Sequence, residues 1–268
     1  MPRRRLSVLA AGLAAAALTL TACSGGSSES GSAAAGEDLG LVSSGTLTVA
    51  TEGTYRPFSY HDETGELVGF DVEIAEAVAE KLGLDIRFQE TQWDAIFAGL
   101  DAGRFDVIGN QVSINAERQE KYLFSEPYTV SRGVIVTTED DDSISSFADL
   151  AGKTTAQSLT SNWYELATDS GAQVEAVEGW AQAVALLQQG RVDATVNDQL
   201  TYLDYEKTNS PTGLKIAAET EETSDSAFAF TKDKQALADA IDGALDELRA
   251  DGTLAEISEK YFGADVTQ

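Results

Sequence analysis

The chain has 268 residues, of which 43% are apolar, so it can bury a sizeable core as one large domain or two small ones. Its 45 acidic residues outnumber its 18 basic ones and give a formal net charge of −27. This balance argues against a nucleic-acid partner, because phosphate binding requires clustered lysine and arginine side chains.

Residues 1–22 are predicted to be a cleaved signal peptide. Three arginines at positions 3–5 precede the 15-residue apolar run LSVLAAGLAAAALTL, which is short for a membrane-spanning helix. The run overlaps the segment LTAC, residues 20–23, which ends at Cys23, the single cysteine of the chain, which can close no intramolecular disulfide. LTAC resembles the lipobox of bacterial lipoproteins, and this likeness implies that Cys23 is lipidated. An ordinary secretory signal is the alternative.

Residues 23–40 are predicted to be a lipidated cysteine followed by a flexible tether. The segment SGGSSESGSAAAGED is rich in serine, glycine and alanine and has no apolar periodicity. No later apolar stretch is long enough to cross a bilayer. The expected location is therefore extracytoplasmic, with the protein anchored to the outer face of the cell membrane.

From Thr46 onward, short apolar strands alternate with amphipathic helices. TLTVAT predicts a strand, and FDVEIAEAVAEKLG predicts a helix with Asp71 as its N-cap and Gly83 as its stop. LDIRFQE is predicted to be the next strand, WDAIFAGLDAG the next helix and RFDVIG the third strand. This alternation indicates an α/β sheet.

The second half of the chain repeats part of this pattern. When Trp93 is aligned with Trp180, seven residues are identical at a constant offset over 18 positions. The other six pairs are Ala98/Ala185, Leu100/Leu187, Gly103/Gly190, Arg104/Arg191, Asp106/Asp193 and Asn110/Asn197. The repeat predicts two lobes built on one plan, each with a helix, a glycine stop and a strand that reaches an asparagine.

Opposite charges follow the two corresponding strands. Arg118 lies beyond the first and Asp198 directly after the second. Ligands of open α/β sheets bind outside the carboxyl ends of the strands, so the pair predicts a site for a zwitterion such as an α-amino acid. Arg118 and Ser113 suit its carboxylate, and Asp198 suits its ammonium group. The alternatives are that Arg118 pairs with a neighbouring glutamate and that Asp198 caps the next helix.

The chain resembles the extracellular solute-binding proteins of ABC transporters that are specific for polar amino acids. The likeness covers residues 45–268 and rests on EGTYRPFSY, GELVGFDVEIAEAVAEKLG, GRFDVI, NQVSINAERQEKYLFSEPY, LAGK, GRVDA and DGTLAEISEKYFGADVT. Within that family, NQV, SNW and the YFGADVT ending are most similar to cystine-binding members.

The resemblance implies a two-lobed, periplasmic-binding-protein-like fold of type II, with a mixed sheet flanked by helices in each lobe and two hinge crossovers. Lobe 1 is expected to comprise residues 41–131 and 228–268, and lobe 2 residues 132–227. The crossings are expected near Ser131 and Ala227. The expected partners are an amino-acid ligand and a membrane permease, and the expected state is a monomer.

The resemblance also assigns site residues. Arg118 would hold the ligand α-carboxylate, Ser113 would contact both the carboxylate and the amino group, and Asp198 would bind the amino group. Tyr55 and Trp93 would sandwich the ligand side chain. Trp180, at the matching repeat position, is predicted to pack in the core.

A loop in lobe 2 is expected to complete the carboxylate site. Ser161 and Asn162 would offer backbone N–H groups, and Trp163 and Tyr164 would open a helix beside them. The loop reads Thr160-Ser161-Asn162 where family members usually have a glycine, which removes a residue that freely adopts positive φ.

The ligand is predicted to be cystine, ahead of basic amino acids and then glutamine. Glu52 lies where binders of basic amino acids carry an acid for the distal cation, and in cystine it would meet the second ammonium group. Gln111, Asn110 or Arg56 would help with the second carboxylate. Delivery to the permease would follow hinge closure around the ligand.

An enzyme on the same scaffold, such as an extracytoplasmic dehydratase, is the alternative from another functional class. The single histidine, His61, lies in the polar segment HDETGE, where a solvated side chain is expected. With one histidine and one cysteine the chain has no zinc-ligand cluster, and it lacks the G-x-S-x-G motif. We therefore predict a binding protein without catalytic residues, metal or cofactor.

Overall fold

The structure is a computed structural model that describes residues 39–268. The predicted signal peptide, the lipidation site at Cys23 and most of the predicted tether lie outside the described residues. Within the described part, no helix combines the length and the apolar character that a membrane span requires.

Strands and helices alternate over residues 39–268, as the sequence predicts. The strands are β1 (Thr46–Thr51), β2 (Thr54–Tyr55), β3 (Ser59–His61), β4 (Leu67–Val68), β5 (Asp85–Glu90), β6 (Val107–Ser113), β7 (Tyr122–Phe124), β8 (Thr129–Thr138), β9 (Thr154–Gln157), β10 (Gln173–Ala176), β11 (Thr195–Asp198) and β12 (Leu214–Thr231). The α-helices are α1 (Phe70–Leu82), α2 (Trp93–Asp101), α3 (Ala116–Lys121), α4 (Asn162–Asp169), α5 (Trp180–Gln188), α6 (Gln199–Asn209), α7 (Gln235–Ala250) and α8 (Thr253–Phe262).

One mixed sheet has the strand order β11-β8-β12-β6-β1-β5, with β7 also paired to β12. Strand β1 lies between β5 and β6 and runs parallel to both, so the chain from β1 to β6 forms the predicted β-α-β units. Strand β12 runs antiparallel to β6, β7 and β8. Strands β9 and β10 pair in parallel, and β2, β3 and β4 form a small separate sheet.

The apolar core is divided between two lobes, which confirms the predicted fold class. Two hydrophobic clusters consist of buried residues before position 131 and after position 227, together with Leu200. The buried members of two further clusters lie between Val134 and Leu214. Strand β12 contributes to both sets, through Leu214 to the second and Phe228 to the first. Each lobe therefore has its own core.

The strands β8 and β12 form the long antiparallel pair that connects the lobes. Both predicted crossing points, Ser131 and Ala227, lie on these strands. The middle of β12 is exposed, whereas its last residues are buried. The bounds of the lobes and the position of the hinge stay predictions.

The internal repeat is present in the structure. Helices α2 and α5 begin at the two aligned tryptophans and have nine residues each. Ahead of β6, the Asp106 N–H donates to the Thr48 carbonyl at 2.9 Å and its carboxylate accepts from the Thr48 N–H at 2.9 Å. Ahead of β11, Asp193 forms the same two bonds to Thr154, at 2.8 and 2.7 Å. The two lobes thus repeat hydrogen bonds as well as sequence.

The prediction that Asp71 caps α1 is wrong. The helix begins at Phe70, and Gly69 occupies the cap position with a φ of 143°. A side chain at Gly69 would collide with the Phe58 carbonyl, because a Cβ there would lie 2.1 Å from that oxygen. Asp71 is instead buried in the first turn, where its carboxylate accepts two hydrogen bonds from Gln111.

Candidate ligand-binding site

A cavity of about 390 Å³ lies between the two lobes. This volume falls within the range of small-molecule sites in proteins. Six of the nine residues that the sequence predicts for the site line it: Glu52, Tyr55, Trp93, Gln111, Ser161 and Asn162.

The two walls of the cavity are built from corresponding elements. Lobe 1 contributes the segment after β1, the start of α2 and the middle of β6, whereas lobe 2 contributes the end of β9, the start of α5 and β11. The aligned pairs Trp93/Trp180 and Asn110/Asn197 both line the cavity. The repeat therefore places equivalent side chains on opposite walls of one site.

Tyr55 connects the walls. Its hydroxyl donates to Asn197 Oδ1 at 3.2 Å and accepts from Thr201 Oγ1 at 3.1 Å, and both partners belong to lobe 2. Its ring packs against Phe58 at a centroid distance of 5.0 Å. Tyr55 is thus held between the core of its own lobe and the facing lobe.

Glu52 is fixed by Asn110 of the neighbouring strand. Its Oε2 accepts from Asn110 Nδ2 at 2.9 Å, and its N–H donates to Asn110 Oδ1 at 2.9 Å. Burial raises the pKa of Glu52 to about 7, and the hydrogen bond from Asn110 partly offsets this shift. Glu52 is therefore an acid within the cavity that titrates near neutral pH.

Arg118 is buried but is not among the residues that line the cavity. Its Nη1 donates to the Ser113 carbonyl at 2.9 Å, and its Nη2 donates across the lobes to the Thr160 carbonyl at 3.2 Å. The guanidinium carbon lies 5.4 Å from the centroid of the Trp93 ring. Burial lowers the pKa of Arg118 to about 10, so the side chain stays charged at neutral pH.

Within residues 39–268, Arg118 forms no ion pair with a neighbouring glutamate, which was the alternative from the sequence. Glu117 forms its ion pair with Lys121, at 2.7 Å. No carboxylate of residues 39–268 forms an ion pair with the Arg118 guanidinium. A buried, charged arginine without a carboxylate partner suits an anionic ligand group.

Asp198 caps α6, which is the alternative role that the sequence indicates for it. Its Oδ1 accepts from the Leu200 N–H at 2.8 Å and from Ser131 Oγ at 2.8 Å. Burial raises the pKa of Asp198 to about 6. Asp198 and Ser113 are not among the residues that line the cavity, so their contacts with a ligand stay predictions.

The loop of lobe 2 does not need the glycine that it lacks. Ser161 adopts an extended conformation with a φ of −82° and caps α4 by accepting from the Tyr164 N–H at 3.1 Å. Gln111 is the one non-glycine residue of the described chain with a positive φ, so Thr160 and Asn162 also avoid that region.

Four lining residues carry a buried polar atom without a hydrogen-bond partner. Six such side-chain atoms occur in residues 39–268, and four of them belong to the lining: Trp93 Nε1, Gln111 Oε1, Gln157 Nε2 and Trp180 Nε1. Leaving a buried polar group unpaired costs about 1–3 kcal/mol. These atoms, two from each lobe, are therefore the natural partners for polar atoms of a ligand.

Residues 47–264 match the family model of the bacterial extracellular solute-binding proteins, family 3. The chain belongs to this family. This solute-binding protein is 53% identical over 225 residues to the L-cystine-binding protein TcyA of Bacillus subtilis, with 84% of each chain covered.

Two solved structures show the relationship in three dimensions. The L-cystine solute receptor of Neisseria gonorrhoeae, in its unliganded open conformation, is 49% identical and aligns with a TM-score of 0.58, covering 83% of this chain and 95% of the receptor. An ancestral arginine-binding protein bound to arginine is 38% identical and aligns with a TM-score of 0.77, covering 82% and 99% of the two chains. The two-lobed fold is thus that of amino-acid-binding proteins.

The sequence interpretation missed part of the lobe 2 wall of the solute-binding protein. Trp180 packs edge-to-face against Tyr205 at a centroid distance of 5.8 Å, as a core residue would, but it also lines the cavity. Gln157 and Glu178 line the cavity as well and were not predicted. The repeat is the signal that identifies Trp180, because its partner Trp93 is predicted to lie in the site.

Proposed function

We propose that this solute-binding protein captures L-cystine between its lobes and delivers it to an ABC permease. The observation that carries the proposal is the cavity with two corresponding walls, because cystine itself consists of two identical halves joined by a disulfide. The 53% identity to a protein named for L-cystine binding supports this choice of ligand.

Closure of the lobes around the ligand is the proposed mechanism. Thr160 Oγ1 donates to Asp94 Oδ1 of lobe 1 at 2.7 Å, and Arg56 forms an ion pair with Asp204 of lobe 2 at 3.2 Å. The solute-binding protein also aligns better with a ligand-bound relative than with a more similar relative in an open conformation. A ligand that contacts both lobes gains those contacts only on closure and so shifts the population to the closed state.

One zwitterionic end of cystine is proposed to bind near Arg118, Ser113 and Asp198. Arg118 has the charge, the burial and the absence of a carboxylate partner that an α-carboxylate requires. Its bond to the Thr160 carbonyl would be exchanged for bonds to the ligand, and the N–H groups of Ser161 and Asn162 would complete the carboxylate site. Asp198 would bind the amino group.

The other end is proposed to use Glu52 and donors of lobe 2. Glu52 would bind the second ammonium group. The donors expected for the second carboxylate are engaged elsewhere, because the amide nitrogens of Asn110 and Gln111 already donate to carboxylates of lobe 1. Gln157 Nε2 and Trp180 Nε1 have no partner and are the proposed replacements.

The site of action is proposed to be the outer face of the cell membrane, with Cys23 as the lipidated anchor and the protein as a monomer. The family assignment supports an extracytoplasmic role. Metabolic labelling with an alkyne fatty acid tests the anchor: the wild type should be labelled and Cys23→Ser should not, and equal labelling of both would refute it.

A screen by thermal shift tests the proposed ligand. Protein lacking residues 1–23 is heated with cystine, arginine, lysine or glutamine, since binding to the native state raises the melting temperature by mass action. Cystine should give the largest shift at equal concentration. A larger shift with arginine or lysine would support the alternative of a basic amino-acid binder, and turnover of any of these compounds would support the enzyme alternative.

A further inference from the structure

Gln111 has an unusual backbone conformation for its position. It lies in β6, yet its φ is 49°, in the left-handed region that residues other than glycine rarely adopt. It is also the one non-glycine residue of the described chain with a positive φ. Such strain persists only where the surrounding structure holds it, and it is concentrated at functional sites.

The conformation of Gln111 coincides with an irregularity in the sheet. Val112 pairs with Ala227 and Ile108 pairs with Ala229, so three residues of β6 face one residue of β12. In a regular strand, consecutive side chains point to opposite faces. Here the consecutive residues Asn110 and Gln111 both line the cavity. The bulge thus brings a second side chain of β6 to the site.

The carboxylate of Asp71 holds Gln111 at two points. Asp71 Oδ2 accepts from the Gln111 backbone N–H at 2.7 Å, and Asp71 Oδ1 accepts from Gln111 Nε2 at 2.6 Å. Asp71 is buried in the first turn of α1, with 1% of its surface exposed. One carboxylate therefore fixes both the backbone and the side chain of a residue that lies 40 positions later in the chain.

The same contacts decide which end of the Gln111 amide is left for a ligand. Nε2 also donates to Thr129 Oγ1 at 3.0 Å, so both of its hydrogens are used. With Asp71 ionised, its Oδ1 can only accept, which places Nε2 and not Oε1 of Gln111 towards it. Oε1 is buried and has no partner. Gln111 therefore presents an acceptor, which suits an ammonium group and does not suit a carboxylate.

We propose that Asp71 is a positioning residue that locks Gln111 in its left-handed conformation, and that Gln111 Oε1 accepts a hydrogen bond from an ammonium group of the ligand. This inference rests on the proposed function, because it assigns a further contact within the same cavity. It replaces the expectation from the sequence that Gln111 helps to bind a carboxylate.

A cycle of variants tests the lock. Asp71→Asn places an amide where two donors of Gln111 need acceptors, and cystine affinity measured by calorimetry should fall at least tenfold. Glycine adopts the left-handed region freely and does not need the lock. Adding Asp71→Asn to Gln111→Gly should therefore lower the cystine affinity of that variant less than threefold. An equal loss in both backgrounds would overturn the lock, as would a folded Asp71→Asn variant with wild-type affinity.

Asp106→Asn is the matched control. Asp106 is also a buried aspartate of lobe 1 that accepts a backbone N–H, from Thr48, but it is not among the lining residues. Its substitution should lower the melting temperature while cystine affinity stays within twofold of the wild type. A loss of affinity equal to that of Asp71→Asn would mean that any damage to lobe 1 weakens binding, which would overturn the specific role of Asp71.

The acceptor is tested separately, with Asp71 intact. Gln111→Met keeps the length of the side chain and removes the amide, so cystine should bind at least tenfold more weakly even if Asp71→Asn does not fold. Wild-type affinity in Gln111→Met would overturn the ammonium contact. If cystine does not bind the wild type, the proposed ligand is wrong, but melting temperatures still test the lock. Asp71→Asn should lower the melting temperature less in the Gln111→Gly background than in the wild type. An equal fall in both backgrounds would overturn the lock.

Discussion

The hydroxyl of Tyr55 in lobe 1 donates a hydrogen bond to Asn197 Oδ1 in lobe 2 at 3.2 Å. Both residues line the cavity, and Asn197 corresponds to Asn110 of the facing wall in the internal repeat. In the proposed mechanism, opening of the lobes would break this bond, so it would form only on closure. Tyr55 therefore connects the wall of the site to the closure of the lobes.

Tyr55→Phe should weaken cystine binding by about 0.5–1.5 kcal/mol, because it removes one hydrogen bond that exists only in the closed arrangement. The loss should appear as faster dissociation in stopped-flow measurements. Tyr202→Phe is the control, since the Tyr202 hydroxyl donates to the Leu214 carbonyl inside lobe 2 at 3.2 Å. Equal dissociation rates for Tyr55→Phe and the wild type would refute the role of Tyr55.

Arg118→Ala should cost about 2–5 kcal/mol of cystine binding, because the ligand carboxylate would then be buried without its partner. Arg118→Lys should recover only part of this loss, since an ammonium group cannot form two parallel bonds to a carboxylate. Calorimetry on the three proteins gives the comparison. Unchanged affinity in Arg118→Ala would contradict the carboxylate role.

Cystine binding should release protons near pH 6.5, and the release from Glu52 should fall as the pH rises through 7. Burial raises the pKa of Glu52 from 4.5 to about 7, so the free protein carries a proton there below pH 7. An ammonium group beside Glu52 favours the charged form and lowers this pKa, which expels the proton. Calorimetry in buffers of different ionisation enthalpy should show that Glu52 releases about three quarters of a proton at about pH 6.5 and about half a proton at about pH 7.

Glu52→Gln is the control for this linkage. The variant has no carboxyl group at position 52, so the release from that group should disappear, while Asp198 and Asp71, whose pKa values burial raises to about 6 and about 7, account for any remainder. The same release in the wild type and in Glu52→Gln would show that Glu52 does not meet the ligand ammonium.

Trp180→Phe should weaken cystine binding by about 1–3 kcal/mol, because it keeps an aromatic ring but removes the unpaired Nε1 donor. Trp93→Phe should have a similar effect, since the two residues occupy equivalent positions on the two walls. Competition binding with labelled cystine measures both. If only Trp93→Phe loses affinity, Trp180 is a core residue and the second wall has a structural role alone.

The fold and much of the site follow from the sequence for identifiable reasons. The period of the apolar residues and the glycine stops predict β1, α1, β5, α2 and β6, and the repeat predicts that a second lobe presents the same elements. The order of strands and helices along the chain predicts which segments meet at the carboxyl ends of the strands. Tyr55, Trp93 and Ser161 are assigned by the family resemblance, and each lies at the end of a short strand or at the start of a helix.

What the sequence did not reveal depends on side-chain direction and on contacts between distant residues. Strand ends place Arg118 and Asp198 near the site, but only packing decides that they lie outside the lining. The role of Asp71 was misjudged because Gln111, its partner, is 40 residues away and adopts a conformation that its residue type disfavours. Local patterns carry no information about such a pair.

A crystal structure of the protein with bound cystine would show the proposed contacts in one experiment. We expect one cystine molecule in the cavity, in contact with Trp93 on one wall and Trp180 on the other, with a carboxylate on Arg118 and the second ammonium group on Glu52. Cystine bound to one lobe alone, or outside this cavity, would contradict the proposal.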